Sequence, residues 1–268
     1  MNADQLRLIC DYVNQNIDQF YINRLKKIKE LKLSDILKSK NPYLLNVKNL
    51  NSALELIPSI LDARLSSSEE GQFGAFLEGL AIYVSELMCS GQKSSANGLD
   101  LEFNRDGIRY IVAVKSGTNW GNSGQQNDLR EAFKRAVKII KQSSNSPPVQ
   151  PVLGICYGKV RTTNNGLFIK IAGQSFWHFI SGDARLYIDL IEPLGFEAKK
   201  HNEDYLKEKD NTYNRFVREF TVEFCQPSGE IDWSKLVEFT CGNLRAAELE
   251  VQDSTQPVKT QSRKRKVK

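Results

Sequence analysis

Apolar and acidic positions alternate over residues 99–103, with leucines and a phenylalanine at the odd positions and Asp100 and Glu102 between them. This period of two is typical of a strand with one apolar face. Residues 104–107 (NRDG) have the composition of a tight turn, and an apolar run then leads to Lys115. The pattern predicts a β-hairpin whose second strand ends at this lysine.

The pairing of the two strands decides which side chains meet. A two-residue loop at Arg105 and Asp106 pairs Asp100 with Ile111, and Asp100 then shares one face of the hairpin with Ile111 and Lys115. An acidic group and a lysine facing one small volume have the geometry needed to hold a divalent metal and a phosphate together. A slip of one residue would separate them.

The longest helical pattern predicts a largely buried helix from about Gln72 to Met88, with Ser67 and Glu70 as a capping box at its start. Glu78 lies inside this helix. A buried carboxylate is costly without a partner or a metal, so Glu78 is a candidate functional residue. A capping or salt-bridged glutamate is the structural alternative.

A second hairpin is predicted from Val152 to Ile171, with strands at 152–157 and 167–171 joined by a turn at 163–166. Lys159 and Arg161 lie on it, where they either contact DNA or are solvated charges. Helices are predicted at Gln174–Ser181, Ala184–Ile191, Tyr205–Lys209, Thr212–Phe224 and Trp233–Phe239.

The charge is unevenly placed. Residues 1–50 hold nine Lys/Arg and five Asp/Glu, a balance of +4, and residues 249–268 hold six and two, again +4. Residues 51–100 hold two Lys/Arg and seven Asp/Glu, a balance of −5. Basic ends around an acidic centre suit a polyanion held over a metal site, although ordinary surface charge gives the same pattern.

Composition excludes several classes of protein. With two histidines, His178 and His201, in the chain, Ser-His-Asp hydrolysis and multi-histidine zinc sites are not expected. The five cysteines are scattered and indicate reduced thiols. No apolar run approaches the ~20 residues of a membrane helix, and the N-terminus does not have the pattern of a signal peptide, so we expect a cytoplasmic protein.

The helix with Glu78 and the hairpin with Asp100 and Lys115 resemble the PD-(D/E)XK nuclease superfamily, and more narrowly type II restriction endonucleases of the PmeII-like group. The resemblance covers roughly residues 40–240. It rests on Asn41-Pro42-Tyr43-Leu44, Ser67-Ser68-Glu69-Glu70, Phe73-Gly74, Phe76-Leu77-Glu78, the stretch IVAVKSG with NWGN, and Phe176-Trp177 before Ser181-Gly182-Asp183.

The resemblance implies a catalytic site made of Glu78, Asp100 and Lys115. Asp100, Glu78 and the Val114 carbonyl would bind Mg²⁺, with Mn²⁺ as a substitute, and Lys115 would hold the attacking water and neutralise charge on the phosphate. One position departs from the family pattern: Ala113 stands two residues before the lysine, where the family has Asp or Glu. Glu78 is the preferred replacement, because Glu102 is expected to pair with an arginine across the hairpin.

The fold class implied is α/β, with a central mixed β-sheet flanked by helices (restriction-endonuclease-like) and helical N- and C-terminal additions. We expect a helical, basic region at 1–65, a nuclease core at 66–182, a helical region at 183–245 and a disordered basic tail at 246–268.

The function implied is Mg²⁺-dependent hydrolysis of double-stranded DNA at a specific sequence. A homodimer is expected because palindromic sites require two-fold symmetry, as is a cognate methyltransferase acting on the same site. By position, Asn119, Trp120 and Asn122 are candidate DNA contacts. A repair or junction nuclease of the same fold and a catalytically inactive DNA-binding relative are the alternatives.

Overall fold

The computed structural model describes residues 1–142, 147–196 and 198–242. Along these ranges the chain forms helices and strands in this order: α1 (Ala3–Lys29), α2 (Leu33–Lys38), α3 (Pro42–Val47), α4 (Ala53–Cys89), β1 (Gln92–Lys93), β2 (Leu101–Arg105), β3 (Ile108–Lys115), α5 (Ser123–Ile140), β4 (Val149–Ile155), β5 (Thr163–Asn164), β6 (Ile169–Ala172), α6 (Gln174–Ser181), α7 (Leu186–Asp189), α8 (Ile191–Phe196), α9 (Ala198–Phe224) and α10 (Trp233–Cys241).

The strands form one mixed sheet in the order β1-β2-β3-β4-β6-β5. The first three strands are antiparallel, β3, β4 and β6 are parallel, and β5 is antiparallel to β6. A mixed sheet flanked by helices confirms the predicted fold class. Within the described ranges, no helix combines the length and the apolar character needed to cross a membrane.

Strand β3 is covered on both faces, as its unbroken apolar run Ile-Val-Ala-Val suggests. Successive side chains point to opposite faces, so Val112 and Val114 enter one core and Ile111 and Ala113 enter the other. The first core includes Leu77 and Leu80 of α4 and Phe176 and Trp177 of α6. The second includes Leu129 and Phe133 of α5. The end of β3 therefore lies between two helical layers.

The predicted pairing of Asp100 with Ile111 is wrong, because Ile111 lies opposite Glu102 and the strands are shifted by two residues. The turn residues are Asp106 and Gly107, with φ of 52° and 73°. A two-residue hairpin loop of this kind needs positive φ at both positions, which Asp-Gly adopts easily. A shift of two residues preserves the faces of both strands, whereas a shift of one would exchange them.

Predicted helix boundaries are also wrong in three places. Ser67 does not begin a helix, because α4 runs without a break from Ala53 to Cys89. The Ser-x-x-Glu pattern caps a helix only where the preceding backbone is extended, and no glycine or proline interrupts the chain just before it. The two helices predicted over 205–224 form one helix, α9, whereas the single helix predicted at Ala184–Ile191 is divided into α7 and α8.

The predicted hairpin between the strands at 152–157 and 167–171 is not formed. Strands β4 and β6 are parallel neighbours, with Val152 opposite Ile169, and the antiparallel partner of β6 is the short β5. The turn residues at 163–166 were recognised, but they belong to the β5–β6 hairpin. Turn chemistry predicts a reversal of the chain without identifying which strand pairs afterwards.

The chain divides into two compact units. Among the described residues, one unit contains 1–31 and 61–214 and holds the whole sheet, and the other contains 32–60 and 215–242. The second unit includes α2, α3 and α10, with Phe216, Phe220 and Leu236 fully buried. The predicted domain boundaries stay a proposal, and the predicted basic tail at 246–268 lies outside the described residues.

Candidate active site

The close approach of α4 to the end of β3 places Glu78. A Cβ atom added to Gly74 would lie 3.3 Å from the Ser116 hydroxyl oxygen, so a glycine at this position lets the helix lie against the residue that follows Lys115. Glu78 is four residues further along and lies on the same side of the helix. The helix therefore brings this half-buried carboxylate to the end of β3.

Asp100 immediately precedes β2 and forms hydrogen bonds to the β3 backbone through both its own backbone and its side chain. Its N–H donates to the Val112 carbonyl (2.9 Å), and its Oδ2 accepts from the Val114 N–H (2.5 Å). Leu99 and Leu101 enter cores on opposite faces, so the regular alternation breaks at Asp100. The prediction that Asp100 shares one face with Ile111 is therefore wrong: its carboxylate is held beside the ladder by a backbone hydrogen bond.

The carboxyl groups of Glu78 and Asp100 lie close enough for each to shift the pKa of the other. Burial raises the pKa of Glu78, and the negative charge of Asp100 and the contact between the two groups raise it further. Burial also raises the pKa of Asp100, although the Val114 N–H and the charge of Lys115 oppose this shift. Burial therefore opposes ionisation of both carboxyl groups, and the neighbouring Asp100 adds to this effect at Glu78.

Lys115 carries a positive charge close to this carboxyl pair. Its ammonium lowers the pKa of both Glu78 and Asp100, which places it close to the pair. The same ammonium lies 5.7 Å from the ring centroid of Trp120, a distance at which a cation still interacts with an aromatic face. The structure therefore brings Glu78, Asp100 and Lys115 close together, and their catalytic roles stay a prediction.

The Val114 carbonyl points to the same edge of β3 as Asp100. Backbone groups alternate along a strand, and the Val112 carbonyl and Val114 N–H both bond to Asp100. The Lys115 carbonyl points the other way and accepts from the Cys156 N–H (2.8 Å). Two carboxylates and one carbonyl are hard oxygen donors, the kind that suits Mg²⁺ with several waters retained. In the described part of the chain no three His, Cys, Asp or Glu residues cluster as a metal site.

The Glu102 carboxylate bonds to side chains outside the carboxyl pair. Its Oε1 lies 3.2 Å from Arg109 Nη2, as expected from the sequence, and accepts from the Gln92 amide at 3.0 Å. Ala113 is fully buried beside apolar residues of the α5 side, on the same face of β3 as Lys115, and its methyl group cannot bind a metal. The arrangement agrees with the preference for Glu78 over Glu102.

A pocket of about 490 Å³ adjoins Lys115. Trp120 and Gly121 form one wall, and Gln125 and Arg135 of α5 add polar groups. Of the three loop residues predicted to contact DNA, Trp120 lines this pocket and Asn119 is exposed. Asn122 has a structural task, because its side chain caps α5 by accepting from the Gln125 N–H (3.0 Å).

Lys159 and Arg161 are exposed on the connection from β4 to β5. The start of this connection lies against the loop that follows Lys115: the Tyr157 N–H donates to the Ser116 carbonyl (3.0 Å). The two cations thus follow a segment that touches the site, but no contact joins them to the carboxyl pair in the described residues.

Two residues near the pair were not predicted. Cys156 follows β4 and is buried; burial raises its pKa to about 12, and the charges of Glu78 and Asp100 act in the same direction, so its thiol stays neutral. Lys93 of β1 lowers the pKa of both Glu78 and Asp100. A strand of two residues carries no periodic signal, and nothing in the sequence marks Lys93.

A carboxylate pair and a lysine at the end of a strand, in a mixed sheet between helices, define a hydrolase of the restriction-endonuclease class. Residues 7–202 match the family model described as Type II restriction endonuclease EcoO109I, and the chain belongs to this family. The match confirms the prediction of a type II restriction endonuclease, and with it a DNA-binding nuclease. No curated protein matches the chain.

Proposed function

We propose that this protein is a Mg²⁺-dependent, sequence-specific endonuclease of the PD-(D/E)XK superfamily that cuts both strands of DNA. The observation that carries the proposal is Asp100, fixed by the Val114 N–H, with Glu78 and Lys115 close enough to shift its pKa. The PmeII-like assignment also stays a prediction.

The donor set fits a divalent cation. Asp100, Glu78 and the Val114 carbonyl would hold Mg²⁺, or Mn²⁺ in its place, and the mutual repulsion of the two carboxylates would be relieved on binding. A cation bound there supplies positive charge beside the phosphate and lowers the pKa of a coordinated water. Asp100 is the better-oriented ligand, because the Val114 N–H fixes one of its oxygens.

The reaction is attack of water on phosphorus with departure of the 3′-oxygen, which leaves a 5′-phosphate. Negative charge grows on the phosphoryl oxygens in the transition state, so groups placed beforehand to meet that charge lower the barrier. We assign this role to Lys115, because its charge lowers the pKa of both carboxyl groups and its side chain lines the pocket beside Trp120. The same lysine holds the attacking water in line.

DNA would lie along this edge, with the pocket beside Trp120 next to the scissile phosphate and Lys159 and Arg161 reaching the backbone. Recognition of a palindromic site by two copies of the chain, and protection of host DNA by a methyltransferase specific for that site, complete the proposal.

Digestion of unmethylated phage DNA tests the proposal. With Mg²⁺ or Mn²⁺ the protein should give discrete fragments whose ends carry 5′-phosphates. Lys115→Ala should lower the cleavage rate by at least about 100-fold. Lys26→Ala is the matched control, since that side chain is 69% exposed on α1. Cleavage restricted to branched DNA would favour a junction nuclease, and binding without cleavage in either metal would indicate an inactive relative.

A further inference from the structure

Strand β1 brings Lys93 to the end of the sheet where Asp100 lies. The chain leaves α4 through Ser90, at a φ of 52°, and the Gly91 N–H donates to the Ser85 carbonyl at 2.9 Å. It then pairs with β2, so that Lys93 is opposite Leu101. The next N–H, that of Ser94, donates to the Asp100 carbonyl at 3.1 Å. Lys93 is therefore diagonal to Asp100 across the ladder.

The register also fixes the face on which Lys93 projects. Residues directly opposite each other in an antiparallel pair point to the same side of the sheet. Leu101 packs in the core with Leu77 and Leu80, which flank Glu78 on α4. Gln92 should then point to the other face, and its amide does bond Glu102 there.

Lys115 belongs to the opposite face. It follows Ala113 by two residues in β3, and Ala113 packs against α5. The strand register thus places Lys93 on one side of the sheet and Lys115 on the other, both at the end of the sheet where Asp100 lies.

The charges explain why a second lysine is useful. Ionised Glu78 and Asp100 carry two negative charges, which the proposed divalent cation would offset, so Lys115 is left to meet the charge of the phosphodiester. That charge grows on the phosphoryl oxygens in the transition state, where a second ammonium would stabilise it. Lys93 is exposed and free to reorient toward a ligand.

We propose that Lys93 is a second phosphate-binding residue of the active site, whose ammonium contacts the scissile phosphodiester from the α4 side while Lys115 contacts it from the α5 side. This inference rests on the proposed nuclease function. It makes Lys93 a catalytic residue in the strict sense, because its partner is the reacting phosphate.

The test compares Lys93→Gln, which keeps most of the side-chain length, with Lys93→Arg, which keeps the charge. Single-turnover cleavage of a specific duplex measures the chemical step, and the Kd for the same duplex without a catalytic metal measures binding. We expect Lys93→Gln to lower the cleavage rate by about 100-fold with a change in Kd of less than about threefold, and Lys93→Arg to retain most of the rate. Lys26→Gln is the control.

The outcomes separate the two proposals. An unchanged rate in Lys93→Gln, or a loss confined to Kd and to its salt dependence, overturns the role of Lys93 and leaves an ordinary backbone contact. If the parent cleaves and Lys115→Ala does not, the proposed function stands whatever Lys93 does. If the parent cleaves no DNA, the proposed function fails, and the role of Lys93 fails with it.

Discussion

Replacing Glu78 by Gln should stabilise the metal-free protein while abolishing its cleavage of DNA. The glutamine keeps the shape of the side chain and can donate a hydrogen bond to Asp100, but it removes one of two like charges that lie in contact. Both carboxyl groups hold their protons more tightly in the folded chain than their ordinary pKa values of 4.5 and 3.8. The free energy of unfolding of the parent therefore falls as the pH rises above these values.

The size of the effect follows from Coulomb's law. Two unit charges about 4 Å apart repel by about 1 kcal/mol in water and by about 4 kcal/mol at an effective dielectric constant of about 20. Glu78 is half-buried, and Lys115 and Lys93 offset part of the repulsion, so we expect a gain near the lower figure, about 1 kcal/mol. For a protein of this size that corresponds to roughly 2–4 °C in Tm.

Thermal melting in EDTA and in saturating Mg²⁺ measures both halves of this prediction. At a metal concentration of about 100 times Kd the parent should gain about 2.7 kcal/mol, whereas Glu78→Gln should gain far less. Glu86→Gln is the matched control, because Glu86 is exposed on the same helix. The reasoning is refuted if Glu78→Gln melts below the parent in EDTA at neutral pH, or if it still responds to Mg²⁺ and cuts DNA at the parental rate.

Two further substitutions test how the site is built. Ala113→Glu introduces the acid that the family pattern has at this position, which is fully buried among apolar residues here. The substitution should lower the free energy of unfolding in urea by about 3 kcal/mol or more, without raising the cleavage rate. Normal stability with faster cleavage would contradict this. Gly74→Val should lower both stability, by about 1–3 kcal/mol, and cleavage, because its side chain meets Ser116. Gly71→Val on the same helix, with open space around its Cβ, should keep the parental cleavage rate, and equal losses in the two variants would exclude the contact as the cause.

The hairpin could be predicted from the sequence because its signals are local. Alternation over residues 99–103 and an Asp-Gly turn are enough to define two antiparallel strands. The pairing was predicted two residues away from the observed one, a shift that keeps the β3 side chains on their predicted faces. Asp100 lies near the end of β3 because its carboxylate accepts from the Val114 N–H. The sequence analysis treats Asn122 as a candidate DNA contact, whereas in the structure its side chain caps α5.

Non-local features could not be predicted in the same way. The parallel pairing of β4 with β6 depends on a connection that passes through β5, and the intervening residues resemble any hairpin turn. The position of Lys93 depends on a turn after α4 and on two residues of edge strand. Neither the β4–β6 pairing nor the position of Lys93 has a periodic sequence pattern, because both are determined by pairing with distant parts of the chain.

In this protein the second carboxylate of the site comes from a helix and not from a strand, so its position depends on different packing contacts. An acid two residues before Lys115 would be positioned by the β3 backbone itself, whereas Glu78 is positioned by the packing of α4 against the sheet. That packing requires the close contact of Gly74 with Ser116 and the burial of Leu77 and Leu80. The stability of α4 on the sheet and the integrity of the carboxyl pair are therefore coupled, so that a core substitution in this helix should impair metal binding before it unfolds the protein.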